Sequence, residues 1–179
     1  MRIIGGTFKG YRFNPPAKKW PTRPTTDISK EALYNILANR LDFSEIRFLD
    51  LFGGTGNHCY ECVSRGCRDA SYVDNFGACV AFVTEMLKKL EIEEYVRIHK
   101  KNVFSFIKKC DEQFDYIFAG PPYPLKNIPE IPDLILQKNM LSKDGILVVE
   151  HNPNVRFDSH PVLDDQRNYG QTIFSFFKV

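Results

Sequence analysis

Short apolar runs alternate with amphipathic segments along most of the chain. Apolar runs rich in β-branched and aromatic residues predict five buried strands, at 46–52, 70–74, 96–99, 114–119 and 146–150. Apolar residues at helical spacing predict helices between and after these runs, at 57–65, 76–90, 103–109 and 130–139. This alternation implies an α/β fold, with a mostly parallel sheet and helices on both faces.

The two ends of the chain carry different patterns. Residues 1–13 alternate loosely and contain three glycines, which predicts a small N-terminal β-hairpin. Residues 14–24 hold four prolines and predict an extended loop, after which a helix begins at Thr25-Thr26-Asp27. Two β segments, near 155–163 and 171–179, predict an antiparallel C-terminal hairpin. We therefore expect an N-terminal arm at 1–24 and one main domain at 25–179.

Composition narrows the function classes. The 179 residues are 43% hydrophobic and 26% charged, which is typical of a globular chain of about one domain. No apolar run is long enough to span a bilayer, and the N-terminus lacks a signal-peptide core. We expect a cytoplasmic protein without a membrane partner.

The five cysteines are expected to be reduced thiols, because their number is odd and no secretory signal precedes them. Cys59, Cys62 and Cys67, near His58, could form a zinc site. However, the helical pattern around them favours buried thiols, so we predict no metal.

The net charge of +2 hides an uneven distribution. The first 40 residues carry eight basic and two acidic side chains, a net charge of +6, whereas the rest of the chain carries −4. This asymmetry is typical either of a basic arm that binds a polyanion or of an ordinary solvated surface. Trp20 lies within the arm, either as a hydrophobic anchor for the loop or as a stacking surface for a base.

A glycine-rich turn follows the first predicted strand, in D-L-F-G-G-T-G at 50–56. The spacing of its glycines matches neither the dinucleotide-binding fingerprint nor the phosphate-binding loop of nucleoside triphosphatases. Asp74 ends the second strand and is placed to accept hydrogen bonds from ribose hydroxyls, while Asp50 could face a cation. This pairing favours a nucleoside cofactor over a purely structural turn. Asn102, after the third strand, either reads an adenine edge or caps the next helix.

Together with G-P-P-Y at 120–123, these features resemble the class I S-adenosylmethionine-dependent methyltransferases. Four further motifs are M-R-I-I-G-G-x-x-K-G at 1–10, R-P-T-T-D at 23–27, K-E-A-L-Y-N-I-L at 30–37 and S-R-G at 64–66. These motifs resemble those of the RsmD family. That family methylates the N2 amine of a guanine in bacterial 16S ribosomal RNA. The L-F-x-G-T-G-N and S-R-G-C stretches look like the variant of Bacteroidetes-type bacteria. The resemblance implies a Rossmann-like fold with a seven-stranded sheet.

The resemblance also implies site residues. Those expected at the S-adenosylmethionine site are Asp50, Phe52, Gly53, Gly54, Gly56, Asp74, Asn75, Asn102 and Val103. The catalytic motif falls on Gly120, Pro121, Pro122 and Tyr123, with Tyr123 expected to stack on a flipped guanine. The residues expected to contact RNA are Lys9, Arg12, Lys18, Lys19, Arg23 and Thr25. For Arg23, an ion pair with Asp27 is the alternative.

Gly120 departs from the family motif, which begins with Asp or Asn. An acceptor side chain there would hold the amine N–H groups and aim the nitrogen at the methyl group. Three interpretations stay open: a slow enzyme in which water or another residue substitutes, an inactive cofactor- and RNA-binding homologue, or an altered residue in an ordinary enzyme. A DNA amino-methyltransferase shares the motif, but the chain leaves no room for a target-recognition domain. The expected partner is 16S rRNA or the assembling small ribosomal subunit, bound by a monomer.

Overall fold

A computed structural model describes residues 1–16, Trp20 and residues 25–178. Its centre is a seven-stranded sheet in the order β3-β2-β1-β4-β5-β7-β6. The strands are β1 Arg47–Leu51, β2 Asp69–Asp74, β3 Val96–Lys100, β4 Phe114–Ala119, β5 Leu141–His151, β6 Leu163–Tyr169 and β7 Thr172–Lys178. The first five are parallel, while β7 is antiparallel to both β5 and β6. The predicted α/β class and seven-stranded sheet are confirmed.

Five α-helices cover the sheet: α1 Asp27–Leu37, α2 Asn57–Ser64, α3 Gly77–Lys89, α4 Val103–Lys109 and α5 Ile131–Gln137. The Thr26 side chain caps α1, as the Thr-Thr-Asp sequence predicts. No helix within the described residues is long and apolar enough to cross a bilayer.

The strands bury both faces, so the core has two halves. Alternate strand residues, such as Phe48 and Tyr116, pack on one face with α1, α2 and α3. Their neighbours, such as Leu49 and Ile117, pack on the other face with α4 and α5. This two-sided burial explains why the central strands read as continuous apolar runs.

All five cysteines are buried free thiols, as the helical pattern predicts. Three of them, Cys59, Cys62 and Cys67, are completely buried in the core half that contains α2. Burial raises the pKa of each of these thiols, which keeps them protonated and unreactive.

The N-terminal segment reverses direction but forms a single β-bridge, between Arg2 and Arg12, instead of two regular strands. Backbone hydrogen bonds cross this reversal, such as the one from the Ile3 N–H to the Tyr11 carbonyl at 2.9 Å. The amides of Ile4 and Gly5 donate to the carboxylate of Glu61 at 2.8 and 2.9 Å. The segment is therefore held both by its own hairpin-like bonds and by α2.

A buried ion pair anchors this N-terminal segment. The Nζ atom of Lys30 lies 3.2 Å from Oε2 of Glu61, and both side chains are fully buried. Lys30 also donates to the Arg2 carbonyl and to Asn57 Oδ1, each at 2.7 Å. Glu61 further accepts from Arg65 Nε at 2.9 Å. The K-E-A-L-Y-N-I-L and S-R-G motifs thus share one structural role, which is to join α1, α2 and the N-terminus.

The predicted strand near 155–163 is wrong. That stretch forms turns, with His160 N–H bonded to the Phe157 carbonyl, and the edge strand β6 begins at Leu163. The strand predicted at 146–150 begins earlier, at Leu141, because a register shift against β4 extends the pairing past Asp144, whose φ is positive. The edge strand β6 is not predicted because its residues are mostly polar, so its sequence lacks a clear alternation of apolar and polar positions.

Candidate active site

A cavity opens at the carboxyl ends of β1, β2, β4 and β5, where ligands bind in open α/β sheets. One part of its wall is the glycine loop after β1, and another is the G-P-P-Y motif after β4. The lining residues are Thr25, Asp50, Phe52, Gly53, Gly54, Thr55, Asn57, His58, Asp74, Asn75, Phe76, Phe118, Gly120, Pro121, Pro122, Tyr123 and Glu150. The two motifs that sequence separates by about 70 residues therefore share one cavity.

The glycine loop is fixed by contacts that only glycine allows. A Cβ on Gly53 would lie 2.3 Å from the Tyr72 ring. The hydroxyl of Tyr72 donates to the Gly54 carbonyl at 2.7 Å, and Gly54 has a positive φ of 52°. Tyr72 thus holds the loop backbone against the cavity.

Asp74 fixes the loop from the neighbouring strand. Its Oδ2 accepts from the Gly54 N–H at 2.9 Å, and its Oδ1 accepts from the Phe76 N–H at 2.8 Å. These bonds orient the carboxylate at the cavity wall, where the sequence predicts a ribose contact. They also give Asp74 a structural role that its position at a strand end does not reveal.

Asp50 is a buried carboxyl group beside the cavity. It is 1% exposed, and among the described residues its Oδ2 has no hydrogen-bond partner. Burial raises its pKa well above the ordinary carboxyl range, while a hydrogen bond with the Cys59 backbone opposes that rise. An unpaired acceptor at a cavity wall fits a ligand that brings positive charge.

The G-P-P-Y motif begins with Gly120, and the absence of a side chain there leaves room for the ring of Phe118. A Cβ on Gly120 would lie 2.9 Å from Cε1 of Phe118. The Phe118 ring is stacked on the His58 ring, with a centroid separation of 3.6 Å. A side chain at position 120 would therefore press on this stacked pair.

A hydrogen-bonded chain runs along the wall next to Gly120. The Thr25 hydroxyl donates to Oε2 of Glu150 at 2.5 Å, and the Tyr123 hydroxyl donates to Oε1 at 3.2 Å. Nε2 of His58 lies 3.0 Å from Thr25 Oγ1. Because the threonine proton points to Glu150, the imidazole must donate through Nε2–H. Burial lowers the pKa of His58 well below its usual value, so the ring is neutral.

Three predicted residues, Gly56, Asn102 and Val103, are not among those that line the cavity. Gly56 has a φ of 76° and packs its backbone against Tyr60 and Val83. The Asn102 side chain caps α4 by accepting from Ser105 N–H at 3.1 Å, and neither Asn102 nor Val103 is among the lining residues. The capping role that was one alternative for Asn102 is thus present.

The positive charge of the first 40 residues is partly neutralised by neighbouring carboxylates. Of the eight basic side chains there, Arg2 pairs with Asp27, Lys30 with Glu61, and Arg40 with Asp164 and Asp165. Lys9 and Arg12 are exposed. Lys18, Lys19 and Arg23 lie outside the described residues.

Trp20 packs edge-to-face on Phe76 and Phe82, with ring centroids 6.0 and 5.8 Å away. Of the two roles expected for it, this contact is that of a hydrophobic anchor.

Five lining residues are not predicted from the sequence: Thr55, Asn57, His58, Phe76 and Phe118. His58 carries no recognisable motif, and its only signal is its position in the first turn of the helix after the glycine loop. Phe118 and Thr55 look like ordinary strand and loop residues. Glu150, at the end of the strand predicted at 146–150, also lines the cavity, whereas His151 is fully buried and bonds Ser175 at 2.7 Å.

The fold and the cavity together are those of a class I methyltransferase. A family model described as "Conserved hypothetical protein 95" matches residues 1–178. The chain belongs to this family, the RsmD family, as the motifs predict.

Relatives and solved structures agree with this assignment. The chain is 31% identical over 184 residues to "Putative rRNA methyltransferase YlbH" of Bacillus subtilis, covering 99% of this chain and 98% of the relative. It is 27% identical over 150 residues to "Ribosomal RNA small subunit methyltransferase D" of Escherichia coli strain K12, covering 84% and 74%. The solved structure of "Putative methyltransferase yhhF" from Escherichia coli superposes with a TM-score of 0.85 at 25% identity, covering 99% and 97%.

Proposed function

We propose that the protein transfers a methyl group from S-adenosylmethionine to the N2 amine of a guanine in 16S ribosomal RNA. The observation that carries this proposal is the single cavity shared by the glycine loop and the G-P-P-Y motif. The names of the relatives support ribosomal RNA as the substrate. We further propose that the protein acts in the cytoplasm as a monomer, with residues 1–24 as an RNA-binding arm on a domain at 25–179.

The residues present fit the cofactor. Asp50 offers an unpaired carboxyl oxygen to the positive charge of the methionine portion, and the Gly53–Gly54 backbone leaves room for close approach. The Asp74 carboxylate, oriented by two backbone N–H groups, would hold the ribose hydroxyls. When bound, the cofactor supplies a sulfonium methyl group: the N–C bond forms as the S–C bond breaks, sulfur keeps the electron pair, and the nitrogen releases a proton.

The residues of the G-P-P-Y motif would hold the acceptor base. The Tyr123 ring offers a stacking surface whose hydroxyl is fixed by Glu150 and Thr172. Pro121 and Pro122 lack N–H donors and stiffen the loop. The Pro122 carbonyl accepts from the Leu125 N–H at 2.9 Å, so the Pro121 carbonyl is the one that would face the amine. Catalysis by such a site is positioning of a weak nucleophile, because the amine lone pair is delocalised into the base.

Methyl transfer to small ribosomal subunits tests the proposal. Subunits that lack the modification are incubated with the protein and methyl-labelled S-adenosylmethionine, and the RNA is digested to nucleosides. We expect label in N2-methylguanosine alone. Label in another nucleoside, or none with either subunits or naked 16S rRNA, would refute the proposed reaction. Incorporation into DNA would favour the amino-methyltransferase of DNA instead.

A further inference from the structure

Gly120 leaves the site without the acceptor side chain that the motif of the family provides, but a carboxylate lies on the same cavity wall. Glu150 is 4% exposed and lines the cavity together with Gly120 and Tyr123. It comes from the end of β5, the strand adjacent to β4, so the two positions are neighbours across the sheet. A buried carboxylate at that place is an unusual feature that packing alone does not require.

The surroundings of Glu150 fix the direction of its two oxygens. Thr25 donates to Oε2 and Tyr123 to Oε1, at 2.5 and 3.2 Å. Both oxygens therefore act as acceptors, and a carboxylate oxygen can accept more than one hydrogen bond. The neutral His58 ring backs the Thr25 hydroxyl at 3.0 Å and brings no charge of its own to the wall.

The chemistry of this group matches one edge of one base. A base stacked on Tyr123 would lie beside the carboxylate that holds the tyrosine hydroxyl. Guanine presents two adjacent donors there, N1–H and the N2 amine, and a carboxylate accepts both. Adenine presents an acceptor next to its amine, and an acceptor facing a carboxylate is repelled.

We propose that Glu150 accepts hydrogen bonds from the guanine amine, and so positions the nucleophile in place of the side chain missing at Gly120. The inference rests on the proposed function, since it names the residue that selects guanine. Glu150 would be a residue that touches the substrate, and Thr25 and His58 would be positioning residues that act through it.

Binding of two nucleotides that differ only in the amine tests this role without turnover. Guanosine 5′-monophosphate and inosine 5′-monophosphate are titrated into the protein with S-adenosylhomocysteine present, and binding is followed by NMR. We expect the wild type to prefer the guanosine nucleotide by about tenfold, the scale of one good base contact. Glu150→Gln should bring the ratio close to one. Asp115→Asn, at the opposite end of the sheet, is the matched control and should keep the preference.

A second substitution distinguishes direct contact of Glu150 with the base from indirect support of the base through Tyr123. Gly120→Asp placed in the Glu150→Gln protein restores an acceptor next to the amine; once the Phe118 ring, whose Cε1 lies 2.9 Å from a Cβ at position 120, moves aside, preference and methyl transfer should both recover. If Glu150 only tied Tyr123 to Thr25, Glu150→Gln would weaken both nucleotides alike. Glu150→Asp, which keeps the charge but withdraws it by one methylene, covers the case in which the glutamine variant does not fold; it should also lose preference.

The outcomes distinguish the inference from the proposed function. A Glu150→Gln protein that keeps the wild-type preference overturns the role of Glu150, while guanine methylation by the wild type still stands. A wild type that shows neither preference for the guanosine nucleotide nor methyl transfer to small subunits overturns both.

Discussion

Asp50 has a buried carboxyl oxygen without a hydrogen-bond partner among the described residues, and this is the strongest indication of a ligand at a single residue. Its carboxyl group is nearly inaccessible, and one oxygen has no partner among the described residues. An acceptor in such a place costs folding free energy unless a bound group satisfies it. The protein thus carries at Asp50 a cost that cofactor binding would offset.

Asp50→Asn removes the ability of this side chain to ionise beside a bound cation, with little change of shape. We expect the affinity for S-adenosylmethionine to fall about 10- to 100-fold, the value of one hydrogen bond to a charged group. Isothermal titration calorimetry measures this directly. Asp69→Asn, on the surface at the other end of β2, is the control, and equal affinities for the Asp50→Asn and wild-type proteins would contradict the assignment.

The same residue makes stability depend on pH. Because burial raises the pKa of Asp50 in the folded state, the folded protein binds a proton that the unfolded chain releases near pH 4. The associated stability is present in acid and is lost as pH rises through the folded-state pKa. Without cofactor, the free energy of unfolding should fall more between pH 4 and 7 for the wild type than for Asp50→Asn. If the free energy of unfolding changed with pH by the same amount in both proteins, Asp50 would not have a raised pKa in the folded state.

At the scale of elements, the N-terminal segment, α1 and α2 behave as one unit because Lys30 and Glu61 join them inside the core. Burial lowers the pKa of Lys30, and the attraction of Glu61 opposes that shift. A buried pair of this kind is costly to break from one side, since the remaining charge loses its compensation.

Lys30→Met should therefore cost about 3 kcal/mol in the free energy of unfolding, a typical value for one half of a buried pair. The double variant Lys30→Met with Glu61→Leu should recover part of that loss, because no buried charge remains. Chemical denaturation with urea measures both. A single variant as stable as the wild type would show that the pair contributes nothing to holding the N-terminus.

Sequence predicts the central elements well and the edges poorly. The strands around Phe48 and Ile117 are buried on both faces, so their apolar runs are unmistakable. Strand β6 has mostly polar residues and gains its place only by pairing with β7, which no local pattern reports. The site divides in the same way. The glycine loop and G-P-P-Y are contiguous motifs, whereas Thr25, His58 and Glu150 meet only through the folded topology.

For the whole molecule, the charge of the N-terminal 40 residues is less available than its sum implies. Arg2, Lys30 and Arg40 are engaged with carboxylates, so among the described basic residues of this segment Lys9 and Arg12 are left for the proposed RNA contact. Each lysine or arginine that contacts a phosphate releases counterions, which makes binding weaker in salt.

Replacing Lys9 and Arg12 with alanine should weaken binding to 16S rRNA and reduce the slope of log affinity against log salt by about one for each residue. Filter binding at several salt concentrations gives the slope. Arg40→Ala is the matched control, since its guanidinium already pairs with Asp164 at 2.7 Å. If Arg40→Ala and the double variant changed the slope equally, the proposal that Lys9 and Arg12 contact RNA while Arg40 does not would be wrong.

We propose that one cavity holds the cofactor and the guanine together. A crystal structure of the protein with S-adenosylhomocysteine and guanosine 5′-monophosphate would show whether it does. We expect the ribose at Asp74, the methionine portion at Asp50 and the glycine loop, and the guanine on Tyr123 with its amine facing Glu150. Cofactor bound elsewhere, or a base whose amine points away from the cofactor, would contradict it.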